Sequence, residues 1–97
     1  MQTRSSPVHV THNEADSRFE VEIDGSLAVS EYFRDGDRIV FTHTEVPDEF
    51  EGKGIGNALA KAALDYSRKE GLRVVPRCRF IASYIKRHPE YADLVDQ

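Results

Sequence analysis

The spacing of apolar residues changes once along this 97-residue chain, at Pro47, and that change restricts the fold more than any other feature. Before it, Phe19, Val21 and Ile23 alternate with Glu20, Glu22 and Asp24, which is the period of a half-buried strand. Asp24-Gly25 signals a hairpin turn, Leu27 to Phe33 reads as a second strand, Asp35-Gly36 as another turn, and Arg38 to Val46 as a third strand. Val8 to Thr11 is expected to add a short edge strand. After Pro47, Ile55, Leu59, Ala62, Ala63 and Tyr66 recur at helical spacing, with Asn57, Lys61, Asp65 and Lys69 on the other side. That helix should stop near Glu70, because Gly71 can take the left-handed C′ conformation and Arg68 and Lys69 suit the negative end of the dipole.

Leu72 to Val75 reads as a buried strand broken by Pro76, and Phe80, Ala82, Tyr84 and Ile85 as a second helix ending before Pro89. Tyr91 to Val95 closes the chain. The expected class is α+β: a mostly antiparallel central sheet with a glycine loop leading into a long helix, then a strand and a second helix. A chain of this length fills one core, so residues 1–97 are expected to form a single domain.

Cys78 is the only cysteine, which excludes an intramolecular disulfide and suits a reducing compartment. No apolar run is long enough to span a bilayer, and Met1 to Ser6 is polar, so a cytoplasmic location is the default expectation. A formal net charge of −4 argues against general nucleic-acid binding. The charge is uneven: residues 1–50 carry 4 Lys and Arg against 11 Asp and Glu, and residues 51–97 carry 9 against 6. An anion therefore belongs with the second half, although a solvated basic face would carry the same charges.

Between the third strand and the long helix stands Glu51-Gly52-Lys53-Gly54-Ile55-Gly56-Asn57. Glycines let a ligand approach the backbone closely, and a helix start presents unpaired N–H groups at the positive end of its dipole, so a phosphate fits there. The run lacks the spacing of a P-loop and of a dinucleotide fingerprint. Taken alone, it could equally be a plain glycine-rich turn into a helix.

With its context, the segment from Phe41 to about Tyr91 resembles the GNAT N-acetyltransferase superfamily, whose signature is Gln/Arg-x-x-Gly-x-Gly/Ala after a strand ending in a Val-x-Pro-like sequence. Val46-Pro47 and Glu51 to Gly56 match, with Glu51 where Gln or Arg is usual. The chain also resembles a group of GNAT-like proteins of about a hundred residues through Thr42-His43-Thr44, Glu51 to Gly56, Cys78 and Tyr84-Ile85-Lys86-Arg87-His88-Pro89-Glu90-Tyr91. The resemblance implies an acyl-CoA-dependent N-acetyltransferase that uses acetyl-CoA as donor and a small amine or lysine-bearing acceptor. It implies that Gly52, Lys53, Gly54, Ile55, Gly56 and Asn57 hold the pyrophosphate of coenzyme A and that Thr44 and Val46 hold its pantetheine arm.

Three side chains are candidates for the chemistry. Tyr84 falls where many members of the family carry the acid that protonates the departing thiolate, and could instead be a core residue. Cys78, between Arg77 and Arg79 near a helix start, could relay an acyl group, pack beside the pantetheine, or be an inert small hydrophobe. His43 could act as a base or orient Cys78, though a histidine between β-branched residues is often structural. His9 and His12 point to opposite faces of a strand, so no metal pair is expected. A non-catalytic acyl-CoA-binding or sensing module, and an interaction domain without a cofactor, are the competing readings. The acceptor and the oligomeric state stay open.

Overall fold

The computed structural model describes residues 8–96. Five strands form one sheet in the order β1 (Thr11–Asn13), β2 (Arg18–Ile23), β3 (Ser26–Asp35), β4 (Arg38–Glu45) and β5 (Arg73–Pro76). The first three junctions are antiparallel and β4–β5 is parallel, as a crossover through a helix requires. The β2–β3 turn has only Asp24 and Gly25 between paired Ile23 and Ser26, and both take positive φ (51° and 82°), which matches the twist of the strands they join. The crossover is α1 (Ile55–Lys69), preceded by a 3₁₀ turn at Asp48–Phe50; α2 (Arg79–Arg87) and a 3₁₀ segment at Pro89–Leu94 follow β5.

One face of the sheet carries the core. Phe19, Val21, Ala28, Tyr32, Ile39, Phe41 and Val74 meet Ile55, Leu59, Ala60, Ala63 and Leu64 of α1 and Ile81, Tyr84 and Ile85 of α2. Strand alternation puts Glu20, Glu22, Leu27, Val29, Glu31, Phe33 and Val40 on the opposite face, where Leu27 and Phe33 are exposed. The α1 stripe is centred one position from the sequence expectation: Ala60, Leu64 and Ser67 are buried, while Ala62 and Tyr66 are only half-buried.

Two boundaries and one buried helix position depart from the sequence reading. The edge strand is Thr11–Asn13 instead of Val8 to Thr11, because the His12 ring stacks on Phe19 at 4.1 Å and fixes that register, while Val8 and Val10 pack against the core outside the ladder. The fifth strand is shifted by one residue and includes Pro76, whose missing N–H is tolerated as the last residue of a short strand. Beside it, Asp96 donates its backbone N–H to the Val74 carbonyl at 2.8 Å, covering part of the outer edge of β5. In α2, Ala82 is exposed and Ile81 takes the buried place.

Candidate active site

The site begins with a fault in β4. The β3–β4 register runs Ser30↔Thr44 and Glu31↔His43 and then Tyr32↔Phe41, so Thr42 is the extra residue of a β-bulge. In an unbroken strand His43 would share the face of Phe41. The bulge resets the alternation, so Thr44 points to the helix face and His43 to the opposite one. Thr44 Oγ1 accordingly lies 3.1 Å from Ser30 Oγ, which is fully buried, and accepts the Cys78 thiol at 3.2 Å.

Just beyond the bulge the sheet opens. β4 and β5 pair from Arg38↔Arg73 to Phe41↔Pro76, and the last link between them is the Cys78 N–H on the Phe41 carbonyl at 2.9 Å. The chain then turns into α2 with Cys78 as its N-cap, while β4 continues to Glu45 beside β3 alone. The resulting gap is continuous with a cavity of about 770 Å³ lined by Thr44, Glu45, Val46, Phe50, Glu51, Gly52, Gly54, Ile55, Gly56, Asn57 and Phe80.

The floor of that cavity is the start of α1. Gly54 caps the helix with φ 77°, a left-handed conformation that penalises any β-carbon. Its carbonyl takes the first helical bond, from Ala58 N–H at 3.0 Å, which leaves the amides of Ile55, Gly56 and Asn57 without helical acceptors. No side chain caps them and no acidic residue stands in the first turn, so this end keeps its positive potential. Gly56 answers a different demand: a β-carbon there would stand 2.6 Å from Phe80 Cζ.

Of the eight positions expected to hold coenzyme A, seven line the cavity; Lys53 is exposed and lies outside the lining. The three candidates for chemistry are dispersed. Cys78 is buried against Thr44 at the edge of the gap. His43 is exposed on the other face, its Nε2 3.3 Å from Glu45 Oε1, so Thr44 and not His43 orients Cys78. Tyr84 is buried with its ring stacked on His88 at 3.9 Å, outside the cavity lining. Burial raises the Tyr84 hydroxyl above its ordinary range; Lys61 lowers it and Asp65 raises it, both from α1.

Phe80 is the residue that sequence reasoning missed as a wall of the site. The signal was a glycine inside a helical pattern, which implies a close neighbour, but the sequence does not say which one. His9 is exposed and His12 half-buried, and among the described residues no three His, Cys, Asp or Glu side chains are grouped to hold a metal ion.

Residues 18–94 match the family profile described as GCN5-related N-acetyl-transferase. The chain belongs to the GCN5-related N-acetyltransferase family. Within it, the chain is similar to mouse Protein NATD1, at 40% identity over 89 residues that cover 89% of this chain and 81% of the relative. Human Protein NATD1 is 42% identical over 86 residues, covering 86% and 76%. The fold is similar to that of a GCN5-like protein from Staphylococcus aureus solved by solution NMR, with a TM-score of 0.73 and 27% identity over 95% of this chain and 91% of that one. The mixed five-stranded sheet with its helices thus matches the GCN5-related fold. No helix of the described residues is long and apolar enough to cross a membrane.

Proposed function

We propose that this chain is an acyl-CoA-dependent N-acetyltransferase that binds its donor from the helix face and its acceptor from the open face of the sheet. One observation carries the reading: a single cavity joins the uncapped amides of Ile55, Gly56 and Asn57 to the free edge of β4 at Thr44 to Val46. The amides match a diphosphate, and the extended β4 backbone matches the amide-bearing pantetheine arm. When bound, acetyl-CoA supplies an acyl group activated as a thioester.

The chain's own groups divide the remaining work. Gly52 to Asn57 bind the diphosphate and Thr44 to Val46 align the arm, which points the thioester toward the gap beside Cys78. Cys78, held by Thr44, lies nearest that gap among the three candidates and is the proposed proton source for the departing thiolate. On the open face, His43 next to Glu45 takes the proton that a cationic amine must lose before its nitrogen attacks. Glu22, Glu31 and Glu45 make that approach acidic and favour a lysine-bearing or small cationic acceptor.

Calorimetric titration of acetyl-CoA into the purified protein tests the reading, with a panel of polyamines, amino acids and lysine peptides read by CoA release. Binding plus turnover on one amine class is expected; absence of heat at millimolar donor sinks the proposal. The location of Tyr84 favours a second reading, a non-catalytic acyl-CoA-binding module, because the acid expected from the family lies outside the cavity lining. Binding without turnover on any amine would decide for it.

A further inference from the structure

Outside the cavity, α1 and α2 run side by side in the same sense. Gly56 meets Phe80 at their starts, and farther along, Lys61 and Asp65 of α1 are charged neighbours of Tyr84 on α2. The buried Tyr84 ring therefore lies where the two helices face each other, beyond the helix-start amides. Its charges are specific. Asp65 is held by the Lys61 ammonium at 2.7 Å and the Tyr91 hydroxyl at 2.6 Å, so the Lys61–Asp65 pair is formally neutral. Arg87 leans back along α2 until its Cζ is 5.9 Å from the Tyr84 ring centroid, and among the described residues it has no carboxylate partner. Glu90 is the remaining carboxylate acting on Tyr84. An unpaired guanidinium beside an aromatic ring, with spare donors on Lys61, suits a dianionic phosphate monoester.

The distance is right for one part of the proposed donor. Lys61 is five residues beyond Gly56 and Arg87 seven beyond Phe80, about 7 to 10 Å along the helices; the Arg87 side chain leans back over Tyr84 toward the cavity, while the Lys61 ammonium, drawn to Asp65, stays beside Tyr84. The ribose 3′-phosphate of coenzyme A lies one sugar ring from the diphosphate. We propose that Arg87, assisted by Lys61, binds that 3′-phosphate and makes the chain select coenzyme A over 3′-dephospho-coenzyme A. This rests on the reading that the diphosphate sits on the α1 amides.

The test is calorimetry with both ligands on the full chain and on Arg87→Gln and Arg87→Lys. The parent should bind coenzyme A about tenfold tighter than the dephospho form. Arg87→Gln should bring the ratio close to one with dephospho-coenzyme A affinity unchanged, and Arg87→Lys should keep part of the preference. Lys61→Gln should reduce the ratio less than Arg87→Gln does. Equal binding of the two ligands by the parent, or an unchanged ratio in Arg87→Gln, overturns this inference and leaves the donor reading intact. Heat from neither ligand overturns both. Arg87 is exposed, and an unshifted melting curve of each variant shows that a changed ratio is not unfolding.

Discussion

At Gly56 the backbone is helical, so the usual reason for glycine is missing, and the demand comes from the Phe80 ring, 2.6 Å from where a β-carbon would stand. Alanine there gains about 1 kcal/mol in helix propensity, and the clashing atom is the far tip of a half-buried ring that can give way. Gly56→Ala should therefore leave thermal stability nearly unchanged while the displaced ring weakens acetyl-CoA binding about tenfold. Melting and titration of the same sample separate the two effects, and Phe80→Leu in the same chain should restore part of the affinity. Thr44 invites a complementary experiment. Thr44→Val removes the partner of fully buried Ser30 and the acceptor of the Cys78 thiol, which should cost about 1–3 kcal/mol in denaturant unfolding. Adding Ser30→Ala should recover much of that loss, since no hydroxyl is then stranded. The glycines of the loop were legible from residues 51–57 alone. The Thr44–Cys78 contact was not, because it depends on a bulge that inserts one residue into the alternation at Thr42 without a glycine or proline to mark it.

Elements were more legible than contacts, because period and punctuation are local properties. The switch at Pro47, the Asp24-Gly25 turn and the stop at Gly71 each placed an element within a residue or two of its observed end. What local patterns do not hold is how the end of the chain is fastened. The 3₁₀ segment Pro89–Leu94 is tied to α1 by Tyr91, whose hydroxyl donates to Asp65 Oδ1 at 2.6 Å, and by Arg68, which bonds Asp93 and the Glu90 carbonyl. Burial, then the bond to Asp65, pushes the Tyr91 hydroxyl up to about 12. Its pKa is raised on folding, so the stability it contributes is complete below the unfolded value near 10 and is lost as pH climbs through about 12. Tyr91→Phe should lower stability by about 1 kcal/mol at neutral pH. It should also flatten the fall in melting temperature between about pH 10 and about pH 12, leaving the smaller slope from Tyr32 and Tyr84, which burial also raises. An unaltered alkaline slope in the variant would show that the Asp65 bond does not hold this element down.

For the whole molecule, the question is what joins an acidic half made of strands to a basic half built around two helices. The seam is aromatic. His12 of β1 stacks on Phe19 of β2, bonds the Tyr32 hydroxyl of β3 through Nε2 at 2.6 Å, and meets the Tyr66 ring of α1 edge-on at 4.4 Å. The sequence reading took up His12 only to set aside a metal pair with His9, since nothing local announces that residues 12, 19, 32 and 66 converge. Burial lowers the pKa of His12, with Glu14 partly opposing, and the neutral ring with its proton on Nδ1 can accept the Tyr32 hydroxyl. A depressed histidine pKa has a definite sign in linkage: the unfolded chain takes up the proton first. The stabilisation is therefore present above the unfolded value near 6.5 and is lost as pH falls through the lower folded value. Melting temperature should drop between about pH 7 and about pH 5, before the carboxylates of Glu20, Asp65 and Asp93, whose pKa values lie below their ordinary range, begin to protonate. His12→Gln should melt lower at neutral pH and lose most of that acid slope, because glutamine carries no titrating group. If the variant kept the full slope, the acid sensitivity would belong to another histidine, and the seam would have to be held by stacking and burial alone.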